Sequence, residues 1–414
     1  MSETQVVTAP RPLTLDDGRP AAAAWSLDPG MLHLNHGSFG AVPLVAQRRQ
    51  HELRAEMERA PVVWFRDVTE RIAAARTEIA EHLRVDAADL ALVPNASAGA
   101  SVVYAALAAH PGKDIVVTDH GYGAVTMGAE RLARRWGGRV RTARVPLAAD
   151  ADQAYRAVMS EVDDRCALVV LDQITSATAR RLPVERIAAE LARHEGITLL
   201  VDGAHAPGLL PAPLEGLEHG DAWVGNLHKW GCAPRGTAAL VARGPLREHL
   251  YPLIDSWSAA EPFPHRFDQQ GTLDATGPLA APTALEFVER TWGWDTARRY
   301  MDELADYGAR VVGAAFAGPA GGAVEGVDVG MPVPGMRLVR IPEGLGTTRL
   351  AADALRDRAT LELGVECAFT SFDGVGYLRL SAHVYNTPED YDRFAQVCVP
   401  VLEDWGREAR RARG

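Results

Sequence analysis

Short, almost wholly apolar runs alternate with amphipathic stretches between residues 90 and 241, and this alternation restricts the fold more than any other feature. The predicted strands are Leu90–Val93, Asp114–Thr118, Ala167–Leu171, Thr198–Val201, Ala222–Gly225 and Ala238–Val241. Helices are predicted between them at 99–109, 123–136, 151–161 and 184–195. Strands that lack alternating polar positions are buried on both faces, which is typical of a mostly parallel sheet covered by helices. The sequence therefore predicts a layered α/β fold.

The rest of the chain predicts an arm and a second domain around this sheet. Residues 1–30 contain many prolines and glycines and are interpreted as an irregular arm. Surface helices are predicted at 41–59 and 67–84, and further helices at 278–290 and 295–314. Strands are predicted at Met336–Ile341 and Gly376–Ser381, before a final helix at 388–407. We therefore expect a large domain at 31–285 and a smaller α+β domain at 286–414.

Composition disfavours several classes of protein. The formal net charge of -11 disfavours nucleic acid or an anionic membrane as the main partner. The four cysteines form no CxxC pair, so we expect free thiols in a cytoplasmic protein. The first residues lack a basic segment followed by an apolar one, and no apolar run is long enough for a membrane helix.

Polar residues follow five of the predicted strands, where each strand ends. These segments are Asn95-Ala96-Ser97, Asp119-His120-Gly121-Tyr122, Asp172-Gln173, Asp202-Gly203-Ala204-His205 and Asn226-Leu227-His228-Lys229. In parallel sheets, ligands bind outside the carboxyl ends of the strands. The five segments therefore form one candidate site.

The chain contains only two lysines, Lys113 and Lys229. Lys229 follows an apolar strand, and a lysine buried beside a cofactor has a lowered pKa and can form an imine. Lys113 lies in a polar turn before a strand, at the opposite end of the sheet. Lys229 is therefore the candidate for amine chemistry.

Other residues of the segments suggest the kind of ligand. Asp202 ends an apolar strand, where a carboxylate needs a positive partner such as a protonated pyridine nitrogen; the alternative is a structural cap of the next turn. The small residues from Asn95 to Ser101 begin a helix and favour a phosphate group. Tyr122 or His120 is suited to stack on an aromatic ring. His205 lies over or beside that ring, or is purely structural.

Arg379 lies on a predicted strand of the smaller domain, in Tyr377-Leu378-Arg379-Leu380-Ser381. An arginine with apolar neighbours needs an anionic partner, and a substrate carboxylate would provide a bidentate one. The alternative is an internal ion pair.

These motifs together resemble the class V aminotransferase family of fold-type I pyridoxal-phosphate (PLP) enzymes, and within it the isopenicillin N epimerase group. The similar segments extend from Leu34-Asn35-His36-Gly37-Ser38-Phe39-Gly40 to Ser381-Ala382-His383-Val384-Tyr385-Asn386-Thr387, nearly the whole chain. The most specific are Val201-Asp202-Gly203-Ala204-His205-Ala206-Pro207-Gly208, His228-Lys229-Trp230 and Pro234-Arg235-Gly236.

The resemblance implies a fold, a cofactor and a set of residue roles. It implies a mostly parallel seven-stranded sheet in the large domain, a homodimer with its sites at the interface, and an amino-acid substrate. Lys229 would hold pyridoxal 5'-phosphate covalently and Asp202 would pair with its ring nitrogen. The other cofactor residues would be Gln173 near the phenolic oxygen, Tyr122 in the stacking position, Ala96, Ser97, Asn226 and His228 at the phosphate, and Thr272 reaching the phosphate of the other subunit. Arg379 would bind the substrate carboxylate, while Asn35 and His36 line the entrance.

Two features differ from related proteins. Ala179-Arg180-Arg181 stands where the family usually has a glycine and two apolar residues, which suggests a substrate with more than one acid group. Cysteine desulfurases place a reactive cysteine on a loop before the arginine strand. Cys367 instead stands where the epimerase group has a strand residue, which disfavours that activity.

The resemblance leaves the reaction open. Lys229 can remove the Cα proton as a general base, and the next step decides the product. We favour a C–S lyase that acts by β-elimination on a cysteine S-conjugate in secondary metabolism, such as antibiotic biosynthesis. The alternatives are an epimerase, an aminotransferase or decarboxylating deaminase, and a binding protein without turnover.

Overall fold

The computed structural model describes residues 8–317 and 327–412. Its strands are β1 (Leu32–His33), β2 (Leu90–Val93), β3 (Asp114–Thr118), β4 (Val140–Ala143), β5 (Cys166–Asp172), β6 (Thr198–Asp202), β7 (Ala222–Asn226), β8 (Ala238–Ala242), β9 (Met336–Arg340), β10 (Val365–Glu366), β11 (Ala368–Phe372) and β12 (Val375–Ser381). Its α-helices are α1 (Leu44–Arg59), α2 (Pro61–Leu83), α3 (Ala96–Ala106), α4 (Gly123–Trp136), α5 (Ala151–Met159), α6 (Val184–Leu191), α7 (Thr276–Trp292), α8 (Trp294–Ala317), α9 (Arg349–Leu363), α10 (Pro388–Arg393) and α11 (Val399–Arg411).

The described residues form two compact units. The larger unit comprises Gly40–Ser176 and Arg181–Arg290. The smaller unit comprises Ala177–Arg180 and the described residues within Met1–Phe39 and Thr291–Gly414. The domain boundaries predicted after residues 30 and 285 stay predictions, and residues 1–7 of the predicted arm lie outside the described residues.

The larger unit contains a seven-stranded sheet in the order β2-β8-β7-β6-β5-β3-β4. Every pairing is parallel except those of β8, which runs antiparallel to β2 and β7. Strands β2, β3, β5, β7 and β8 are buried along their whole length, because helices cover the sheet on both faces. The prediction of an α/β fold with a mostly parallel seven-stranded sheet is confirmed.

Helix boundaries in the larger unit follow local signals. Asn95 caps α3, because its Oδ1 accepts from the amide of Ala98 at 2.8 Å. Helix α4 ends at Gly137, which adopts a left-handed φ of 72°. The amphipathic stretches therefore start and stop close to where the sequence predicts.

The smaller unit contains a three-stranded antiparallel sheet, β11-β12-β9, and a two-stranded parallel one, β1-β10. Its core includes Leu304 of α8, Leu378 of β12 and Leu402 of α11. A π-helix at Phe394–Cys398 joins α10 to α11, and this helical segment ends at Arg411, beyond the predicted end at residue 407. No helix in the described parts of the chain is long and apolar enough to cross a membrane.

Candidate active site

The carboxyl ends of β2, β3, β5, β6 and β7 lie at one edge of the larger unit's sheet, because these strands run in the same direction. All five predicted polar segments follow them. Side chains from different parts of the sequence therefore meet at this edge, and they include the chain's one buried lysine.

Lys229 follows β7, and only 9% of it is exposed. Its Nζ lies 3.1 Å from His205 Nε2 and 6.0 Å from the centroid of the Tyr122 ring. Lys113 lies before β3, where its Nζ donates to the carbonyl oxygen of Asp164. The two lysines are thus at opposite ends of strands, as the sequence indicates.

Two motif glycines allow the backbone of the Lys229 segment to pack closely. A Cβ added at Gly40 would lie 2.2 Å from the carbonyl oxygen of Lys229, which is shorter than any real contact. A Cβ at Gly208 would lie 2.5 Å from the carbonyl carbon of Trp230, and Gly208 also has a φ of +88°. These contacts explain why glycine stands at these positions in the two motifs.

Asp202 ends β6 as a buried carboxylate. Its Oδ1 accepts from the amide of Ala204 at 3.0 Å, whereas its Oδ2 is buried without a hydrogen-bond partner among the described residues. Burial raises the pKa of Asp202, while the Ala204 amide and the charge of Lys229 act in the opposite direction. A protonated ring nitrogen would satisfy this oxygen, so the residues present are suited to PLP.

Asp172 is a second buried carboxyl group beside Asp202, because the two residues are register partners on β5 and β6. Its Oδ1 accepts from the amide of Tyr122 at 3.3 Å. Burial first, and then the negative charge of Asp202, raise the pKa of Asp172 well above its usual range. The sequence places Asp172 at a strand end but assigns it no role.

His205 lies between Lys229 and an indole. Its Nδ1 accepts a hydrogen bond from Trp230 Nε1 at 3.2 Å, on the opposite side of the ring from Lys229. Both His205 and Trp230 are buried. The sequence predicts a role for His205 beside the cofactor but misses Trp230, although Trp230 is part of the His228-Lys229-Trp230 motif.

Three of the predicted phosphate residues, Ala96, Ser97 and Asn226, meet at the amino terminus of α3. The Ala96 amide donates to Asn226 Oδ1 at 2.8 Å, and the Ala98 amide donates to Asn95. Ser97 lies between these two amides, and its own amide has no hydrogen-bond acceptor among the described residues. A helix amino terminus with such an amide is suited to an anionic group.

His228 and Gln173 are both held by hydrogen bonds within the larger unit. His228 Nδ1 lies 2.8 Å from the carbonyl oxygen of Thr237, and burial lowers the pKa of His228 to about 4. Gln173 donates to the carbonyl oxygen of Pro213 at 2.7 Å and accepts from Trp223 Nε1 at 3.0 Å. Their side chains are therefore fixed in place before any ligand binds.

Thr272 is not part of this cluster. It lies in an exposed bend after Gly271, and no described hydrogen bond connects it to Lys229 or Asp202. Its predicted role concerns the other subunit of a dimer and stays a prediction.

The smaller unit brings together its three predicted substrate residues. Arg379 Nη2 donates to Asn35 Oδ1 at 3.1 Å and to Ser38 Oγ at 2.9 Å. Only 2% of Arg379 is exposed, and burial lowers its pKa to about 10, so the guanidinium keeps its charge at neutral pH. His36 Nδ1 lies 3.0 Å from the Tyr385 hydroxyl. Ser38 and Tyr385 lie in the motifs at the two ends of the resemblance but are not among the predicted residues.

The two atypical arginines have different environments. Arg180, in the smaller unit, is completely buried and pairs as an isolated β-bridge with Pro332. Arg181, in the larger unit, forms an ion pair with Glu185 at 2.9 Å. Because Arg181 pairs with Glu185, the hypothesis of a substrate with more than one acid group depends on Arg180.

Cys367 lies in the core of the smaller unit, between β10 and β11, with no exposed surface. Burial raises the pKa of its thiol. Because only the thiolate is an effective nucleophile, this environment does not suit the cysteine of a desulfurase.

Comparison with known proteins gives the same family as the motifs. The family model for aminotransferase class V matches residues 42–394. Isopenicillin N epimerase from Streptomyces clavuligerus is 30% identical over 406 residues, which cover 92% of this chain and 98% of the relative. A probable chloroplastic L-cysteine desulfhydrase from Arabidopsis thaliana is 25% identical, over 91% of this chain and 84% of the relative. A solved complex of the cystine C–S lyase C-DES with cysteine persulfide has a TM-score of 0.74 at 21% identity, over 89% of this chain and 97% of that one.

The fold and the buried lysine and aspartate at the strand ends define the class of protein, a fold-type I enzyme dependent on pyridoxal 5'-phosphate. Within this class, the chain belongs to the class V aminotransferase family. The resemblance seen in the motifs is thereby confirmed.

Proposed function

We propose that the protein is a C–S lyase that acts on a cysteine S-conjugate in secondary metabolism, by β-elimination. The observation that carries this proposal is the position of Lys229, a buried amine held at the strand ends by His205. Elimination needs one base to remove the Cα proton, and Lys229 is such a base. The desulfhydrase relatives and the cystine C–S lyase structure support the same chemistry.

The larger unit supplies the residues that would hold the cofactor. When bound, pyridoxal 5'-phosphate withdraws electrons from the substrate's Cα and makes its proton acidic. Lys229 would hold it covalently, and the Asp202 carboxylate would face its ring nitrogen. The remaining residues would be Tyr122 on the ring face, Gln173 and His205 near the phenolic oxygen, and Ala96, Ser97, Asn226 and His228 at the phosphate.

The smaller unit supplies the residues proposed for the substrate. Arg379 would bind the α-carboxylate as a charged, buried guanidinium that Asn35 and Ser38 orient. Asn35 and His36 would line the entrance. The substrate's amino group would replace Lys229 on the cofactor and so free the lysine amine. That amine would then accept the Cα proton while the Cβ–S bond breaks, and the thiolate would leave with the bonding electrons. The 2-aminoacrylate that is released takes up water and decays to pyruvate and ammonia.

The second candidate is an amino-acid epimerase, and the isopenicillin N epimerases at 30% and 29% identity favour it. Epimerisation requires a second acid on the face of Cα opposite the base. Lys229 would act as the base on one face. An acid that returns a proton to the other face would make the enzyme an epimerase, whereas elimination does not need one.

An assay in deuterium oxide tests the proposal directly. The holoenzyme is incubated with L-cystine and S-alkyl-L-cysteines, while pyruvate is measured by a coupled assay and deuterium at Cα by NMR. We expect one pyruvate for each thiol released from an S-alkyl-L-cysteine, and one for each cysteine persulfide released from L-cystine. Deuterium exchange or a change of configuration at Cα without pyruvate would contradict the lyase and support the epimerase.

We also infer that the enzyme is a homodimer with its sites at the interface. The support is the exposed position of Thr272, in the segment that resembles the one reaching the other subunit's phosphate. An apolar cavity of about 260 Å³ adjoins this segment in the larger unit and includes Phe65, Leu92 and Leu273 in its lining.

A further inference from the structure

Three side chains at the lysine form a continuous line of contacts within the larger unit. Trp230 Nε1 lies 3.2 Å from His205 Nδ1, and His205 Nε2 lies 3.1 Å from Lys229 Nζ. Trp230 has no exposed surface, and 1% of His205 is exposed. The imidazole is therefore held at both of its nitrogens, away from bulk water.

The indole determines which nitrogen of His205 carries the proton. An indole N–H can only donate a hydrogen bond, so the Nδ1 atom that it contacts must offer its lone pair. A neutral imidazole with an unprotonated Nδ1 carries its proton on Nε2. A doubly protonated ring would place an N–H against the indole N–H and lose this bond.

We propose that Trp230 is a positioning residue that holds His205 in the neutral Nε2–H form, with that N–H directed towards Lys229. This inference goes beyond the roles carried over from the family, and its bearing on catalysis rests on the proposed function. His205 then acts as a fixed hydrogen-bond donor at the lysine. It would be the donor to the cofactor's phenolic oxygen when PLP is bound.

The same line of contacts favours the reactive form of the lysine. The Nε2–H group can donate only to an amine that has a lone pair, and an ammonium group has none. A neutral Lys229 amine is therefore the form that completes the hydrogen bond from His205. This neutral form is the one that attacks a carbonyl group and removes a proton.

Close packing of two backbone segments holds the three side chains next to one another. Gly208 packs against the carbonyl carbon of Trp230, where an added Cβ would be only 2.5 Å away. Asp202 and His205 therefore lie on a segment pressed directly against the one that carries Lys229 and Trp230. Because Trp230 has no exposed surface and only 1% of His205 is exposed, the surrounding packing leaves little freedom for the indole or the imidazole to turn.

Nitrogen NMR of the full-length holoenzyme tests the inference without measuring activity. Protein labelled with ¹⁵N-histidine is examined by two-bond proton–nitrogen correlation, and the His205 signals are assigned by their loss in His205→Gln. We expect an unprotonated Nδ1 and a protonated Nε2. In Trp230→Phe, which removes the N–H and keeps an aromatic ring, the ratio of the two tautomers should change about fivefold, because one hydrogen bond is lost.

Trp223→Phe is the matched control, because Trp223 is also buried and donates its indole N–H to a different residue, Gln173, at 3.0 Å. It should leave the His205 signals unchanged. A wild-type spectrum with a protonated Nδ1 would overturn the inference even if Trp230→Phe fails to fold. Unchanged tautomers in a folded Trp230→Phe would overturn it as well. Neither result depends on the reaction, so a failed pyruvate assay and a failed tautomer assignment remain distinguishable.

Discussion

Lys229 and Lys113 are the only lysines in the chain, which makes amine chemistry unusually easy to test. We expect Lys229→Ala to keep its fold and to lose the visible absorbance band of the covalent cofactor link. Because the general base is removed, turnover should fall about 100-fold to 10,000-fold. Absorbance spectra, circular dichroism and the pyruvate assay measure these three effects.

Lys113→Ala is the matched control for this prediction. Lys113 donates to a backbone carbonyl oxygen before β3, so its loss should leave both the absorbance band and the turnover intact. An unchanged band in Lys229→Ala, or a lost band in Lys113→Ala, would contradict the assignment.

At the residue scale, the sequence predicts identities better than contacts. Lys229 and Asp202 can be predicted because a charged residue at the end of a buried apolar strand, or a few residues beyond it, is conspicuous. The pairing of Asp172 with Asp202 depends on strand register, and the contact of Trp230 with His205 depends on two side-chain conformations. Neither leaves a periodic signal in the sequence, so only the structure shows them.

At the scale of elements, Gly208 allows the segment after β6 to pack directly against the segment after β7. Replacing this glycine should therefore lower the stability of the protein. Gly208→Ala should destabilise the protein by about 1–2 kcal/mol through its φ of +88°. The clash with the Trp230 backbone should add a further 1–3 kcal/mol or so. Denaturant unfolding measures the total, and the absorbance band should weaken because Lys229 is displaced.

Gly137→Ala separates the two contributions. Gly137 ends α4 with a similar φ of +72°, but nothing lies within 4 Å of an added Cβ there. Gly137→Ala should therefore lose only the stability that the left-handed φ costs a residue with a Cβ, and it should keep the absorbance band. Equal losses of stability in the two variants would show that the close contact with Trp230 contributes nothing.

The sequence predicts strands and helices well where they are uniformly buried, because burial leaves an apolar pattern, and less well elsewhere. Strand β5 is buried throughout, and its apolar run marks it clearly. Strand β4 (Val140–Ala143) lies at the edge of the sheet and contains Arg141 and Thr142, so it lacks an apolar run and was not predicted. Helix α9 (Arg349–Leu363) was also missed, since it buries only three residues.

At the scale of the whole molecule, an exposed loop and an apolar cavity of the larger unit support self-association. The cavity is lined by α2, β2 and the segment around Leu273, which is 47% exposed. A cavity of this kind, beside a threonine predicted to reach the other subunit, is suited to an interface with a second copy. We therefore expect the mass in solution to be twice that of one chain.

Leu273→Glu tests the dimer, because it places a charge within the apolar lining. We expect light scattering after gel filtration to show a shift towards the single-chain mass, together with weaker cofactor binding as Thr272 is withdrawn from the other subunit. The matched control is Leu361→Glu on α9 of the smaller unit, because this leucine is even more exposed, at 85%, and is not among the residues that line the cavity. It should leave the mass unchanged. A wild-type protein that stays at the single-chain mass across micromolar concentrations and still binds the cofactor tightly would show that each site is complete within one chain.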